Sequence, residues 1–248
     1  MKLLVDVGNT AAKWRVRLDG QVRQGGNQHM RDWPSLVAEL VQALGGRPPL
    51  SCRVASVAGR DADAVLAEQL LRGLGVEPEF YYSPATDAGV TNCYAEPGRL
   101  GVDRWLAMVE AWHRVGGAAV VVDCGSALTI DAVDQGGVHR GGYIVPGLRM
   151  LESSLLSRTA SVRFDEAVTW SSLAPGDSTV ACVHNGTMRM TVAFITETVV
   201  ALQNLVQDTC PVFVTGGDAM NVMAWLPDGF CHLPDMVLDG LERVTAGQ

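Results

Sequence analysis

Two short segments carry residue types suited to holding phosphate. The first is Asp6-Val7-Gly8-Asn9-Thr10-Ala11-Ala12-Lys13, between two strand-like apolar runs. A strand–glycine–strand turn presents backbone N–H groups that can hold phosphate oxygens. Asn9 and Thr10 add side-chain donors, and Lys13 on the returning strand adds a point charge. Asp6 is suited to magnesium, directly or through water, because that ion prefers few carboxylates together with phosphates. The alternative for this segment alone is an ordinary hairpin with a solvated lysine. Lys2 and Lys13 are the only lysines among 19 basic residues, so lysine at this turn runs against the chain's habit. The second segment, Asp123-Cys124-Gly125-Ser126, can make similar contacts to cation or phosphate. Two such turns facing one another across a cleft would clamp a triphosphate.

Three other stretches offer chemistry with open alternatives. Gly101-Val102-Asp103-Arg104, downstream of Tyr94, opens a helix. Asp103 beside Arg104 is either a helix cap with a surface ion pair or a general base with a substrate-binding guanidinium. In phosphoryl transfer a carboxylate takes the acceptor's proton late, and positioning does most of the work. Gly216-Gly217-Asp218 ends a strand and starts a helix. It is either a plain turn capped by Asp218 or a place where a base or ribose approaches the backbone. Gly141-Gly142 and Pro146-Gly147 divide the same way, between turn and ligand contact.

The elements that must position these residues form an internal repeat. Residues 3–16 and 120–133 align so that Asp6 falls on Asp123, Gly8 on Gly125 and Asn9 on Ser126, an offset of 117. Turn signals follow both copies, at Asp19-Gly20 and Asp134-Gln135-Gly136-Gly137. Each half then alternates helices and strands. Asp32 and Asp61 are candidate caps for two helices. The first has apolar positions Leu36, Val37, Leu40, Val41 and Leu44. The second places Val65, Leu66, Leu70 and Leu71 on one face and ends at Gly73 and Gly75. Cys52 to Val57, Glu79 to Tyr82 and Pro211 to Thr215 are strand candidates. Gly147 to Ser157 is expected to be helical, as is 218–225, and 178–207 one or two helices with Gly186 as the weak point. The fold class expected is α/β, with two similar lobes, each a mixed sheet with an opening β-hairpin flanked by helices. The lobes are expected at 1–117 and 118–248.

Composition removes other classes. A chain of 248 residues that is 48% apolar and 19% charged is neither disordered nor low-complexity. Twenty-seven acids against 19 bases give a net charge of −8, which argues against nucleic acid as a partner. No apolar run reaches about 18 residues, so no membrane partner is expected. The six cysteines lack C-x-x-C spacing, and buried free thiols in a cytoplasmic protein are expected. Neither the Walker pattern nor the G-x-G-x-x-G dinucleotide fingerprint is present.

Taken in order, D-V-G-N-T-A-A-K, L-G-V-D-R, D-C-G-S-A-L-T, G-G-Y-I-V-P-G and V-T-G-G closely resemble the type III pantothenate kinase family. That family belongs to the acetate and sugar kinase/heat-shock/actin superfamily of duplicated ATPase folds. The resemblance covers roughly residues 3 to 240. It implies that ATP with Mg2+ phosphorylates pantothenate to 4′-phosphopantothenate, with a monovalent cation (K+ or NH4+) present. It implies that Asp6, Val7, Gly8, Asn9, Thr10, Ala11, Ala12, Lys13, Ser126, Gly216 and Gly217 bind ATP. Asp103 is implied as the base, and Tyr94, Gly101, Val102, Asp103, Arg104 and Thr179 as pantothenate-binding, Thr179 across a homodimer interface. Asp123 is implied as the monovalent-cation ligand. Ser126 departs from the family's usual threonine but keeps the hydroxyl. Ser161-Val162-Arg163-Phe164 departs from the family's Leu-Pro turn after Thr159-Ala160. Two other readings remain at this stage: a kinase for another small acceptor, and a nucleotide-binding regulator without turnover.

Overall fold

The computed structural model describes residues 1–18, 21–27, 32–158, 172–207 and 209–245. Asp19-Gly20 and the segment 159–164 therefore lie outside the described residues. Within them the chain divides into two compact units. One comprises Met1–Glu110 with Met236–Gln248, and the other Ala111–Asp235. The lobe boundary expected at 117/118 lies just beyond the helix Val102–Val115, whereas the unit division, after Glu110, falls inside that helix, and the last helix joins the first unit.

The first unit begins with strands β1 (Lys2–Val7), β2 (Ala12–Leu18) and β3 (Gln21–Asn27). Helix α1 (Trp33–Ala43), β4 (Ser51–Ser56), α2 (Arg60–Leu74) and β5 (Pro78–Tyr81) follow. The short pair β6 (Thr86–Asp87) and β7 (Val90–Thr91) leads to a 3-10 turn at Pro97–Arg99 and to α3 (Val102–Val115). The second unit holds β8 (Ala119–Cys124), β9 (Ala127–Val133), β10 (His139–Pro146), α4 (Leu148–Arg158) and α5 (Thr179–Val206). It ends with β11 (Val212–Thr215), α6 (Ala219–Met223) and β12 (Phe230–His232), and α7 (Met236–Val244) closes the chain.

Both units have the same sheet plan. The orders are β3-β2-β1-β4-β5 and β10-β9-β8-β11-β12. In each, the opening strand pairs antiparallel with the second and parallel with the fourth. The repeat seen in the sequence is thus a repeat of topology, and the class is α/β with two mixed sheets flanked by helices. The hairpins differ by one residue. Val7 pairs with Ala12, leaving four residues in the connection, whereas Cys124 pairs with Leu128, leaving three. Past the turn, Lys13 therefore corresponds to Thr129, so the second copy carries no cation at that station.

Burial follows the strand period of two. Leu3, Val5 and Val7 face Leu36, Leu40, Leu66 and Leu70 of α1 and α2. On the other face α7 packs against β1, and Arg15 reaches Asp239 at 2.6 Å and Glu242 at 3.3 Å. In the second unit Val120, Val122, Leu128, Ile130, Val212 and Val214 meet Met188, Val192, Ile195 and Val199 of α5. Glu152 and His184 Nδ1, both buried and 2.6 Å apart, tie α4 to α5.

Several local expectations need correction. Asp32 does cap α1, its carboxylate accepting from the Ser35 amide at 3.2 Å. Asp61 does not cap α2: Gly59 occupies that position and Asp61 lies in the first turn. Asp63 is instead buried against Ser56, whose hydroxyl donates to it. The buried stripe of α2 is Leu66, Leu70 and Leu74, while Val65 and Leu71 are about half exposed at 48% and 50%. Gly73 is internal, and the left-handed Gly75 ends the helix. Helix α5 runs unbroken through Gly186. The buried residues on either side, His184, Thr187, Met188 and Thr191, outweigh a glycine cost of about 1 kcal/mol. All six cysteines are free, but only Cys52, Cys124 and Cys210 are buried, and Cys93, Cys182 and Cys231 are exposed.

Candidate active site

In the first unit, Asp6 and Val7 end β1 and Ala12 and Lys13 open β2. The Gly8 amide donates to the Ala11 carbonyl at 2.9 Å, closing the turn and leaving Asn9 and Thr10 at its exposed tip. Asp6 and Lys13 are direct cross-strand partners, so their side chains share one sheet face. A carboxylate and an ammonium at the mouth of a turn with exposed donors suit a metal-bound phosphate chain.

The same unit positions the acceptor-binding candidates. Gly101 precedes α3, and buried Val102 anchors its start. Asp103 Oδ1 accepts from the Arg104 amide at 2.8 Å. Arg104 is only 7% exposed, which removes the surface ion-pair reading of this dipeptide. Its Nη1 donates to the Tyr94 hydroxyl at 3.0 Å. Next to it on the helix, the Trp105 indole donates to the Tyr81 hydroxyl at 3.2 Å, and that hydroxyl donates to Asp87 at 2.7 Å. Burial, then the Asp87 hydrogen bond, pushes the Tyr81 phenol well above its ordinary value. The tyrosine is therefore a proton-holding strut rather than an acid.

In the second unit, residues far apart in sequence converge on the end of β8. Asp123 pairs with Thr129 on β9 and Thr215 on β11. Gly125 donates to the Ala127 carbonyl at 3.1 Å, setting the turn that carries Ser126. The Gly147 amide donates to the Ser126 carbonyl at 3.0 Å, and the Asp218 amide to the Cys124 carbonyl at 2.9 Å. The turn is thus gripped from both sides. Gly216, at φ +95°, lies where a β-carbon would strike Asp123 and the Cys124 backbone. It is glycine because of the chain it packs against. Gly217 has open space around it and is the one able to let a ligand approach. Burial, reinforced by the Asp123 and Asp218 charges, pushes the Cys124 thiol up to about 12, so it takes no part in chemistry.

Asp218 stands at the N-cap of α6 without a capping bond from its side chain. Its carboxylate instead accepts from Arg149 at 3.3 Å and Asn221 at 3.2 Å. Arg149 was missed in the sequence because its partner is far away along the chain. Thr179, the exposed first residue of α5, lines an open groove of about 770 Å³ with Leu155, Cys182, Gly186 and Met190. No other expected site residue lines that groove.

Among the described residues no group of three or more His, Cys, Asp or Glu could hold a metal. Single carboxylates at the strand ends, Asp6 and Asp123, fit an ion that arrives largely coordinated by phosphate and water. No helix among the described residues is long and apolar enough to cross a membrane.

Two mixed sheets of one strand order, each with a D-x-G turn at the end of its first strand, define a duplicated ATPase fold of the actin-like kinases. Solved structures agree. A Campylobacter jejuni protein described as a Baf family transcriptional activator superposes with TM-score 0.61 at 18% identity, covering 99% of this chain and 98% of that one. A Sinorhizobium meliloti protein assigned as a 2-dehydro-3-deoxygalactonokinase gives 0.61 at 11%, covering 100% and 99%. At these identities the likeness is one of fold. Sequence relatives are more specific. A type III pantothenate kinase of Alcanivorax borkumensis is 51% identical across 100% of both chains. That of Marinobacter nauticus is 38% identical over 99% of this chain and 98% of its own. With the type III pantothenate kinase family model matching residues 2–201, the chain belongs to that family.

Proposed function

We propose that this protein transfers the γ-phosphoryl group of ATP to pantothenate, giving 4′-phosphopantothenate and ADP, the first step of coenzyme A biosynthesis. The observation that carries the reading is the full-length 51% identity to a type III pantothenate kinase. The hydrogen bond from buried Arg104 to half-buried Tyr94, beside Asp103, supports it. Pantothenate offers a carboxylate at one end and a hydroxyl at the other. Arg104, held by Tyr94, takes the carboxylate with Gly101 and Val102 shaping the approach. Asp103 accepts the proton leaving the hydroxyl as the oxygen–phosphorus bond forms, and the bond to ADP breaks. The turn from Asp6 to Lys13 holds phosphate oxygens in the first unit; in the second, Ser126 contributes an ATP contact and Gly217, next to Gly216, admits the adenosine. Asp6 would hold magnesium, directly or through water, and the bound ion would supply charge stabilisation for the transferring group. Asp123 holds a monovalent cation, potassium or ammonium. The protein works in the cytoplasm as a homodimer whose partner's Thr179 completes the pantothenate site.

A coupled ADP-release assay with and without pantothenate tests this. Turnover is expected only with pantothenate, and to fall when sodium replaces potassium. Asp103→Asn is expected to lower kcat by at least about a hundredfold with the fold intact. Near-normal kcat in that variant removes the base assignment. ADP release with a different acceptor, or none at all, favours the other-acceptor or regulatory reading.

A further inference from the structure

Arg104 and Tyr94 can recognise a carboxylate only if something fixes Tyr94, which lies outside any helix or strand. The segment from Pro84 to Pro97 contains only the two-residue strands β6 and β7. Its carbonyls at Pro84 and Pro97 receive side-chain donors. Both are bonded by Asn92 Nδ2, at 3.2 Å each. The same side chain accepts from the Tyr94 amide through Oδ1 at 3.0 Å, an Asx-turn. Its own backbone amide donates to the Ala85 carbonyl at 2.9 Å. Asn92 is 8% exposed, so these bonds are sheltered from water. One buried amide thus joins the entry and exit of the segment and aims Tyr94 toward Arg104.

We propose that Asn92 is a positioning residue for pantothenate, acting through Tyr94 on Arg104. The inference rests on the reading of Tyr94 and Arg104 as substrate-binding. It predicts a particular kinetic pattern. The guanidinium grips the end of pantothenate remote from the reacting hydroxyl, so a misplaced Arg104 weakens ground state and transition state alike. Asp103 lies on α3, to which Asn92 makes no direct hydrogen bond; its contact on that side is the Pro97 carbonyl, in the turn before the helix.

The experiment is steady-state kinetics on Asn92→Ala, Tyr94→Phe and the double variant, with melting temperatures alongside. Asn92→Ala is expected to raise KM for pantothenate about tenfold, the scale of losing sheltered hydrogen bonds. Its kcat and KM for ATP should stay within about twofold, because neither the base nor the nucleotide loops are touched. Tyr94→Phe removes the hydroxyl that Arg104 uses, so the two changes should be non-additive, the double variant resembling the worse single one. An unchanged KM for pantothenate, additive effects, or a fall in kcat joined by a rise in both KM values and a lowered melting temperature would overturn the proposal. If Asn92→Ala does not fold, Asn92→Asp, which keeps the acceptor for Tyr94 but loses both donors, enters the same cycle with the same outcomes. Arg104→Gln separates the two levels. If it leaves KM for pantothenate unchanged, the substrate-site reading fails; if it raises KM while Asn92 variants do not, only the positioning role fails.

Discussion

At the scale of single residues, environment rather than type decides what a side chain can do. Arg104 and Arg149 are both arginines near candidate ligand sites, yet the first is buried against a tyrosine and the second is 76% exposed beside Asp218. The six cysteines divide in the same way. Burial pushes the Cys52 and Cys124 thiols up to about 12, which leaves almost no thiolate near neutrality. Cys93, Cys182 and Cys231 are exposed and Cys210 is buried. Alkylation of the native protein with iodoacetamide near pH 8 should therefore modify Cys93, Cys182 and Cys231 and spare the other three. Peptide mass spectrometry reads the result directly, and fast modification of Cys124 would contradict its placement under the second turn.

At the scale of elements, a glycine pair that looks uniform in sequence is divided between two tasks. Gly216 combines φ +95° with a close approach to Asp123 and Cys124, whereas Gly217 faces open space. Gly216→Ala should destabilise the second unit by about 1–3 kcal/mol, since the added methyl is strained by the backbone and blocked by the chain opposite. Gly217→Ala should stay within about 0.5 kcal/mol of the parent. If Gly217 serves adenosine, that variant raises KM for ATP without losing stability. Urea midpoints compared with nucleotide kinetics separate the two, and equal destabilisation by both would contradict the division. Helix α5 gives the complementary lesson. Gly186 reads locally as a break, but a row of buried residues on either side carries the helix through it.

At the scale of the whole molecule, the end of the chain stabilises its beginning. Helix α7 lies on the first sheet, where Arg15 meets Asp239 and Arg17 meets Glu242 at 2.6 Å. Gly240 packs so closely on the Leu106 carbonyl that no β-carbon fits. The Arg17 hydrogen bond, aided by the charges of Arg17 and Arg15, holds the Glu242 carboxyl below its ordinary value of 4.5. A group depressed in the folded state contributes stability that is present above the unfolded pKa and lost as pH falls through the folded one. The effect is modest because Glu242 is about one-third exposed, its side chain at 35%. Acidifying from neutrality to below about pH 4.5 should therefore weaken the parent more than Glu242→Gln. Urea midpoints at the two pH values measure it, and identical acid losses would show that the contact contributes nothing.

Much of this protein is local and therefore legible in the sequence. Period-two apolar runs, a capping Asp32, and a D-x-G turn occurring twice carry the α/β class, the duplication and the two hairpin turns, because short-range sterics and alternation set them. The ordered motifs likewise reach the family. What the sequence alone leaves undecided depends on partners distant along the chain. The buried state of Arg104, the role of Asn92, the grip of Gly147 and Asp218 on the second turn, and the return of α7 to the first sheet are such features. The same distance hides the one-residue difference between the two hairpins, which only strand register reveals. Local propensity specifies which segments bend, coil or extend. Only packing decides which of their side chains lose water, and loss of water separates the buried Arg104, bonded to a tyrosine, from the exposed Arg149.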